Sequence, residues 1–153
     1  MQIEQALDSE IITKLNRDIQ ELHFSLYPDR FKPFDFKTIN EFFKKVMENP
    51  KNLFLIIKDN DQSLGYVWLE FREYQESAFT KSSKSIFVHH LSISKEHQNK
   101  GYGSSLMDRI YEIAENNSIS RIELDYWLDN EIAKRFYEKN EFIRYREFVF
   151  KQL

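Results

Sequence analysis

Two glycines two residues apart, in Gln98-Asn99-Lys100-Gly101-Tyr102-Gly103, mark the place in this chain best suited to binding through backbone. Only one other glycine occurs in 153 residues. The apolar stretch Ile86 to Ile93 precedes the pair, and a helical pattern from Ser104 to Glu115 follows it. A strand-to-helix turn of this kind exposes backbone N–H groups at the positive end of the helix, where a phosphate or pyrophosphate fits. Spacing alone is equally consistent with a tight connection that binds nothing. The dinucleotide pattern is incomplete, because Leu106 stands where a third glycine belongs, and no Gly-Lys-Ser/Thr of the Walker type occurs.

Proton-moving side chains are few. Strand alternation puts His89 on the same face as Phe87, while His90 is expected on the opposite face as a half-buried packing residue. His23 and His97 are expected at the surface. A zinc site is not supported: His89 and His90 diverge, no His-Glu-x-x-His occurs, and there is no cysteine. Absence of cysteine also excludes disulfides, thiolate ligands and a cysteinyl covalent intermediate.

The length fits one domain over residues 1–153, with 41% apolar and 16% aromatic residues to pack it. Lys and Arg number 22 against 25 Asp and Glu, a net charge of −3, so no basic footprint for nucleic acid or an anionic membrane is present. No apolar run approaches 18 residues and no basic-then-apolar leader opens the chain, which reads as soluble and cytoplasmic.

Several elements must position these residues. Ile3 to Ala6 is expected as an edge strand, and Asp8 or Ser9 as the cap of a helix reaching about Leu22. A second helix is expected from Phe36 to Glu48, stopping before Pro50. Leu53–Lys58 and Ser63–Tyr74 read as a hairpin, Lys84–Ser94 as a third long strand, and Arg121–Trp127 as a fourth. A short helix, Asn130 to Lys139, and a final strand, Phe142 to Lys151, close the chain. The order gives an α/β fold with a mixed sheet.

The flanks of the glycine pair are informative. Leu91-Ser92-Ile93, four further residues, Gln98-x-x-Gly101-x-Gly103 and Leu106-Met107 resemble the acetyl-CoA signature of the GNAT N-acetyltransferase superfamily. Downstream, Asn130-x-x-Ala133-x-x-Phe136-Tyr137-Glu138-Lys139-x-x-Phe142 resembles a second block of that family. Together they span Ile86 to Phe142, and the first 80 residues match only in element order. Two departures stand out. Asn99 takes a position where many members have glycine, and Glu141 replaces the glycine before the closing phenylalanine, with Asn140 expected to adopt the left-handed conformation in its stead.

The resemblance implies a central, mostly antiparallel sheet flanked by helices, with two strands splayed at the cofactor site. It implies that acetyl-CoA is held by the amides of Asn99, Lys100, Gly101, Tyr102, Gly103 and Ser104, with Gln98 opening the motif and Ser105 adding a hydroxyl. Gly101 and Gly103 would both make room for the diphosphate. Backbone groups of Leu91 and Ile93 would meet the pantetheine arm, and Asn130 would reach the cofactor from the last helix. Without cysteine, direct attack of an amine on the thioester within a ternary complex is the simpler scheme. Tyr137 matches the family tyrosine that protonates the departing thiolate, or else simply packs beside Phe136. Many members carry a glutamate base at the position of Phe87, and here His89, two residues on, is the candidate.

The aromatic segment His23, Phe24, Tyr27, Phe31, Phe34 and Phe36 is either an acceptor wall or core, and Glu70, on one face with Trp68 and Arg72, could attract a cationic acceptor. The expected activity is acetyl transfer to a primary amine by a monomer or homodimer, without nucleic-acid or membrane partners. A non-catalytic acyl-CoA-binding regulatory module is the alternative, favoured by the missing glutamate. A domain with no cofactor would require both motifs to be accidental.

Overall fold

The computed structural model describes all residues, 1–153. Strand β1 (Gln2–Gln5) leads into helix α1 (Ser9–Leu26) and helix α2 (Phe36–Glu48). Both helices begin on an aspartate: Asp8 accepts from the Glu10 amide and Asp35 from the Thr38 amide, contacts that supply about 0.5–2 kcal/mol each at such positions. Strands β2 (Asn52–Asp59), β3 (Gln62–Tyr74) and β4 (Ser83–Ile93) follow as an antiparallel meander. After a 3-10 turn at Lys95–His97 come helix α3 (Tyr102–Asn116), strand β5 (Ile122–Leu124) and helix α4 (Glu131–Lys139).

The five strands lie in the order β1-β2-β3-β4-β5, antiparallel except for the parallel β4–β5 pair. This is the mixed sheet expected from the sequence. Alternation along β3 sends Val67 and Leu69 into one core with Ile86, Val88, Leu106, Met107 and Ile110. Tyr66 and Trp68 point the other way, into a second core with Ile12, Phe43, Phe54 and Ile56. Helix α3 thus covers one face of the sheet, and α1 with α2 covers the other.

Three expectations fail at the C-terminal side. The strand expected over Arg121–Trp127 is only Ile122–Leu124, because Trp127 turns out of the sheet to pack 4.9 Å from Tyr27 and 5.1 Å from Phe31. No strand forms over Phe142–Lys151, and Phe148, Val149 and Phe150 stand exposed. Its alternation is strand-like, but no neighbour within the chain pairs with it. The left-handed residue after α4 is also not Asn140 (φ −88°) but Glu141 itself (φ 61°), so the turn keeps its glycine-like geometry at a non-glycine residue.

Candidate functional site

Strands β4 and β5 pair only from Ile86↔Ile122 to Val88↔Leu124. Beyond Val88 they part, and β4 runs on alone along that edge to the glycine turn. The splay expected at the cofactor site is therefore present, with Leu91 and Ile93 on its open side. Ile93 is less available than expected, because its carbonyl accepts from Gln98 Nε2 at 3.1 Å. Gln98 thereby ties the turn to the strand end.

At the turn Asn99 has φ 62° and Gly101 φ 87°, so two left-handed residues lie two apart ahead of α3. Asn99 adopts the conformation that a glycine would have supplied, as asparagine does more readily than other residues. A Cβ at Gly101 would meet nothing within 4 Å, so glycine serves there for its backbone angle and leaves the approach to the helix end open. No side chain caps α3. Its first amides thus point at the space that an anion would fill.

Gly103 has a packing part that the motif does not reveal. A Cβ there would lie 3.2 Å from the Phe136 ring and 3.9 Å from Ile93, so this glycine lets α4 pack against α3. It brings the turn and the helix carrying Tyr137 into contact. Tyr102 sends its hydroxyl to Asp59 Oδ2 at 3.0 Å and Ser105 donates to the Gly101 carbonyl at 3.3 Å. Ser105 therefore closes the first helical turn, while Lys100 and Ser104 are exposed. Asn130 caps α4, its Oδ1 accepting from the Ala133 amide at 3.1 Å, which commits that oxygen to the helix.

Tyr137 is 7% exposed, stacked 5.9 Å from Tyr126 and packed edge-on against Phe136 and Phe142. Burial, with Asp125 nearby, raises its phenol above the ordinary value and keeps it protonated.

The two histidines are arranged by a β-bulge. Trp68 pairs with His90 and Leu69 with Val88, which leaves His89 as the extra residue of β4. Alternation is interrupted there. His89 stacks 4.1 Å from Trp68 and His90 meets the same ring edge-on at 5.2 Å, so both lie on the α1–α2 face rather than on opposite faces as expected. His90 bonds the Tyr66 hydroxyl through Nδ1 at 2.8 Å, and Tyr66 accepts from Asn16 at 2.9 Å. Burial foremost, with His23 and His89 nearby, pushes His90 down to about 3, so it is a neutral packing residue.

His89 is 24% exposed and its Nε2 lies 2.5 Å from Glu70 Oε2. Glu70 also takes Arg72 at 3.2 Å, and Arg72 lies 3.8 Å over the Phe87 ring. Burial works against ionisation of Glu70, but His89 and Arg72 outweigh it and hold the carboxyl below its usual range. An ionised carboxylate only accepts, so His89 donates to it through Nε2. Glu70 is thus engaged with its neighbours and not turned toward a cationic ligand. It pairs in register with Phe87, so a carboxylate stands across the strand from the position where many family members carry their glutamate. Sequence reasoning placed Glu70, Trp68 and Arg72 on one face, but nothing local to β3 could reveal this pairing.

None of the aromatics from His23 to Phe36 belongs to either core. His23 is half-buried against Phe31 at 4.8 Å and its pKa is lowered by burial, a correction to its expected surface position. Tyr27 donates to Asp129 at 2.7 Å and Arg30 lies 5.2 Å over Trp127. The segment forms a wall with the chain leaving β5. His97 is half-buried, with its Nδ1 buried and unpartnered.

No hydrogen bond or ring contact joins His89 to Tyr137. His89 shares strand β4 with the splay, and Tyr137 joins the turn through Phe136 and Gly103.

The solved structures similar to this chain include a tetramutant of the BH1408 protein from Bacillus halodurans, with a TM-score of 0.94 at 20% identity over 100% of both chains. A possible acetyltransferase from Clostridium difficile 630 matches with a TM-score of 0.75 at 17% identity, over 99% of this chain and 97% of the other. The aminoglycoside 6'-N-acetyltransferase AAC(6')-IG of Acinetobacter haemolyticus matches at 0.74 and 15%, over 100% and 98%. At such identities they speak for the fold. Residues 16–142 match the family described as acetyltransferase (GNAT) family, a stretch that takes in the splayed strands, the turn and the tyrosine helix. The chain belongs to the GNAT acetyltransferase family.

Proposed function

We propose that the chain transfers an acetyl group from acetyl-CoA to a primary amine. The observation that carries this reading is the uncapped start of α3 behind two left-handed residues, at the point where β4 leaves β5. The residues present fit a pyrophosphate: Gly101 leaves open space where a Cβ would stand, and the first amides of α3 have no competing side-chain acceptor. Amides from Asn99 to Ser104 would hold the diphosphate, with the Ser104 hydroxyl and Lys100 beside them. The free edge of β4 at Leu91 would pair with the amides of the pantetheine arm. When bound, acetyl-CoA supplies the activated thioester.

The acceptor arrives mostly as an alkylammonium, whose ordinary pKa is about 10.4, and must lose a proton before it can attack. His89 Nδ1 takes that proton, directly or through a water. Glu70 fixes the ring by accepting from Nε2–H and stabilises the imidazolium that forms. Tyr137, held protonated by its surroundings, would offer its phenolic hydrogen to the thiolate of bound CoA. The wall of Tyr27, Phe31 and Trp127 faces the acceptor. Phe87 at the usual glutamate position favours a second reading, a binding module without turnover.

Calorimetric titration with acetyl-CoA, followed by thiol release over a panel of polyamines, amino-acid amides, aminoglycosides and peptides, separates the readings. Binding with thiol release is expected for at least one amine. Binding without release from any of them supports the module, and no binding at all overturns both.

A further inference from the structure

Arg72 is a charge beside the proposed base to which acetyl transfer as described gives no task. Alternation along β3 puts Trp68, Glu70 and Arg72 on one face. Trp68 is buried in the second core, while the Glu70 and Arg72 side chains are 28% and 27% exposed. His89 and Arg72 converge on the same oxygen, Glu70 Oε2, at 2.5 and 3.2 Å, so imidazole and guanidinium are neighbours. The guanidinium lies 3.8 Å over the Phe87 ring, which in turn meets His89 edge-on at 4.9 Å.

Its neighbours use little of its hydrogen-bonding capacity. A guanidinium carries five N–H donors. One of them bonds Glu70, and the Tyr74 phenol lies nearby. Phe87 beneath holds the group by cation–π attraction and not by a hydrogen bond. What remains is a flat, permanently charged fork with open donors, which suits a carboxylate bound through two parallel hydrogen bonds. The surrounding acids are already engaged. Glu70 is shared with His89, and Glu123, the β5 register partner of Phe87, is held by Arg121 at 3.4 Å and Tyr145 at 2.8 Å.

We infer that the acceptor is a free amino acid, whose carboxylate Arg72 holds while His89 takes the proton of its ammonium. This rests on the acetyl-transfer reading and narrows it. Base and guanidinium share one carboxylate oxygen, so the amine and the anion that they serve are only a few bonds apart, as in an α- or β-amino acid. The single charge of Arg72 matches a carboxylate. A phosphate dianion would bring a second negative charge beside Glu70 and Glu123. A diamine would bring its second ammonium to a guanidinium, a like-charge contact that selects against polyamines. A peptide amino terminus has its carboxylate too far away to reach the fork. Transfer forms an amide bond in place of the thioester, so the products are an N-acetyl amino acid and free CoA.

Leucine, leucinamide and putrescine separate the outcomes, since the first two differ in the carboxylate and the third replaces it with a cation. The kcat/KM for leucine should exceed those for leucinamide and putrescine by about ten- to a hundredfold, the range of a charge-assisted hydrogen bond. In Arg72→Leu the ratio of leucine to leucinamide should fall to near one. Arg72→Lys keeps the charge and its pairing with Glu70 but loses the fork, so the ratio should fall part of the way. Calorimetry needs no turnover: leucine should bind the CoA-saturated protein, and about tenfold more weakly in Arg72→Leu with its circular dichroism intact. Thiol release with leucinamide or putrescine that equals or exceeds release with leucine overturns this acceptor and leaves acetyl transfer standing. So does a ratio that Arg72→Leu does not change. No thiol release from any amine is the separate failure of acetyl transfer itself, and absence of leucine binding then refutes the Arg72 site as well.

Discussion

The bulge at His89 lies within β4 and the turn at residues 98–105 follows that strand, and the two solve different problems with different material. The turn works through backbone: Asn99 and Gly101 take left-handed angles, and the first amides of α3 are left without a side-chain cap. The bulge works through side chains from two strands. It places His89 on Glu70 of β3 and shifts His90 onto Tyr66. Substituting the turn should therefore act through angle and access, whereas substituting around the bulge should act through charge and proton position. Adjacent histidines make the contrast concrete. One is a neutral core residue, the other sits part-exposed on the Glu70 carboxylate, and their cross-strand partners distinguish them.

The largest effect is expected at the proposed proton donor, which meets the turn through Phe136 and Gly103. Tyr137→Phe keeps the packing against Tyr126, Phe136 and Phe142 while removing the hydroxyl, so kcat should fall about 10²-fold or more. Affinity for acetyl-CoA by calorimetry should stay as it was. An unchanged kcat would reduce Tyr137 to a packing residue.

The turn comes next. Gly101→Val forces a β-branched residue to φ 87°, a strain of about 1–3 kcal/mol, so acetyl-CoA should bind about ten- to a hundredfold more weakly. Gly103→Ala meets Phe136 at 3.2 Å without a left-handed angle, and should cost mainly thermal stability. Should Gly103→Ala weaken binding more than Gly101→Val, the turn does not hold the ligand in the way proposed.

How much of this was legible in the sequence follows from the same contrast. Helix α2 runs from Phe36 to Glu48 as its aspartate cap and apolar spacing indicate, and the hairpin and α3 lie within a few residues of expectation. The glycine turn was legible because left-handed angles and a missing cap are local properties. The His89–Glu70 pair was not, since it depends on a one-residue shift between β3 and β4 that moves His90 onto the face of His89. The final strand was misread for a related reason. Alternation over residues 142–151 reports a capacity to pair, and no partner within the chain meets it. The packing part of Gly103 was not legible either, since the atom facing it belongs to Phe136, distant in sequence.

Glu70→Gln gives the smallest expected change and the most informative one, because it alters charge with little change in shape. The glutamine can still accept from His89 Nε2, but the imidazolium formed during proton transfer loses a charged partner of about 1.5–3 kcal/mol. A fall in kcat of about tenfold should follow, with acetyl-CoA affinity unaltered. Stability supplies an independent reading. The folded-state pKa of Glu70 is lowered, so its contribution is complete above the ordinary carboxylate value of about 4.3 and disappears as pH falls through the lower folded value. The unaltered protein should accordingly lose part of its Tm below about pH 4.3, and Glu70→Gln should lose less over the same interval. At pH 7 the order reverses, with the variant the less stable, since Arg72 and His89 then face an uncharged amide. If the two acid limbs coincide and kcat is unchanged, the carboxylate facing Phe87 is only a surface charge, and bulge and turn no longer belong to one site.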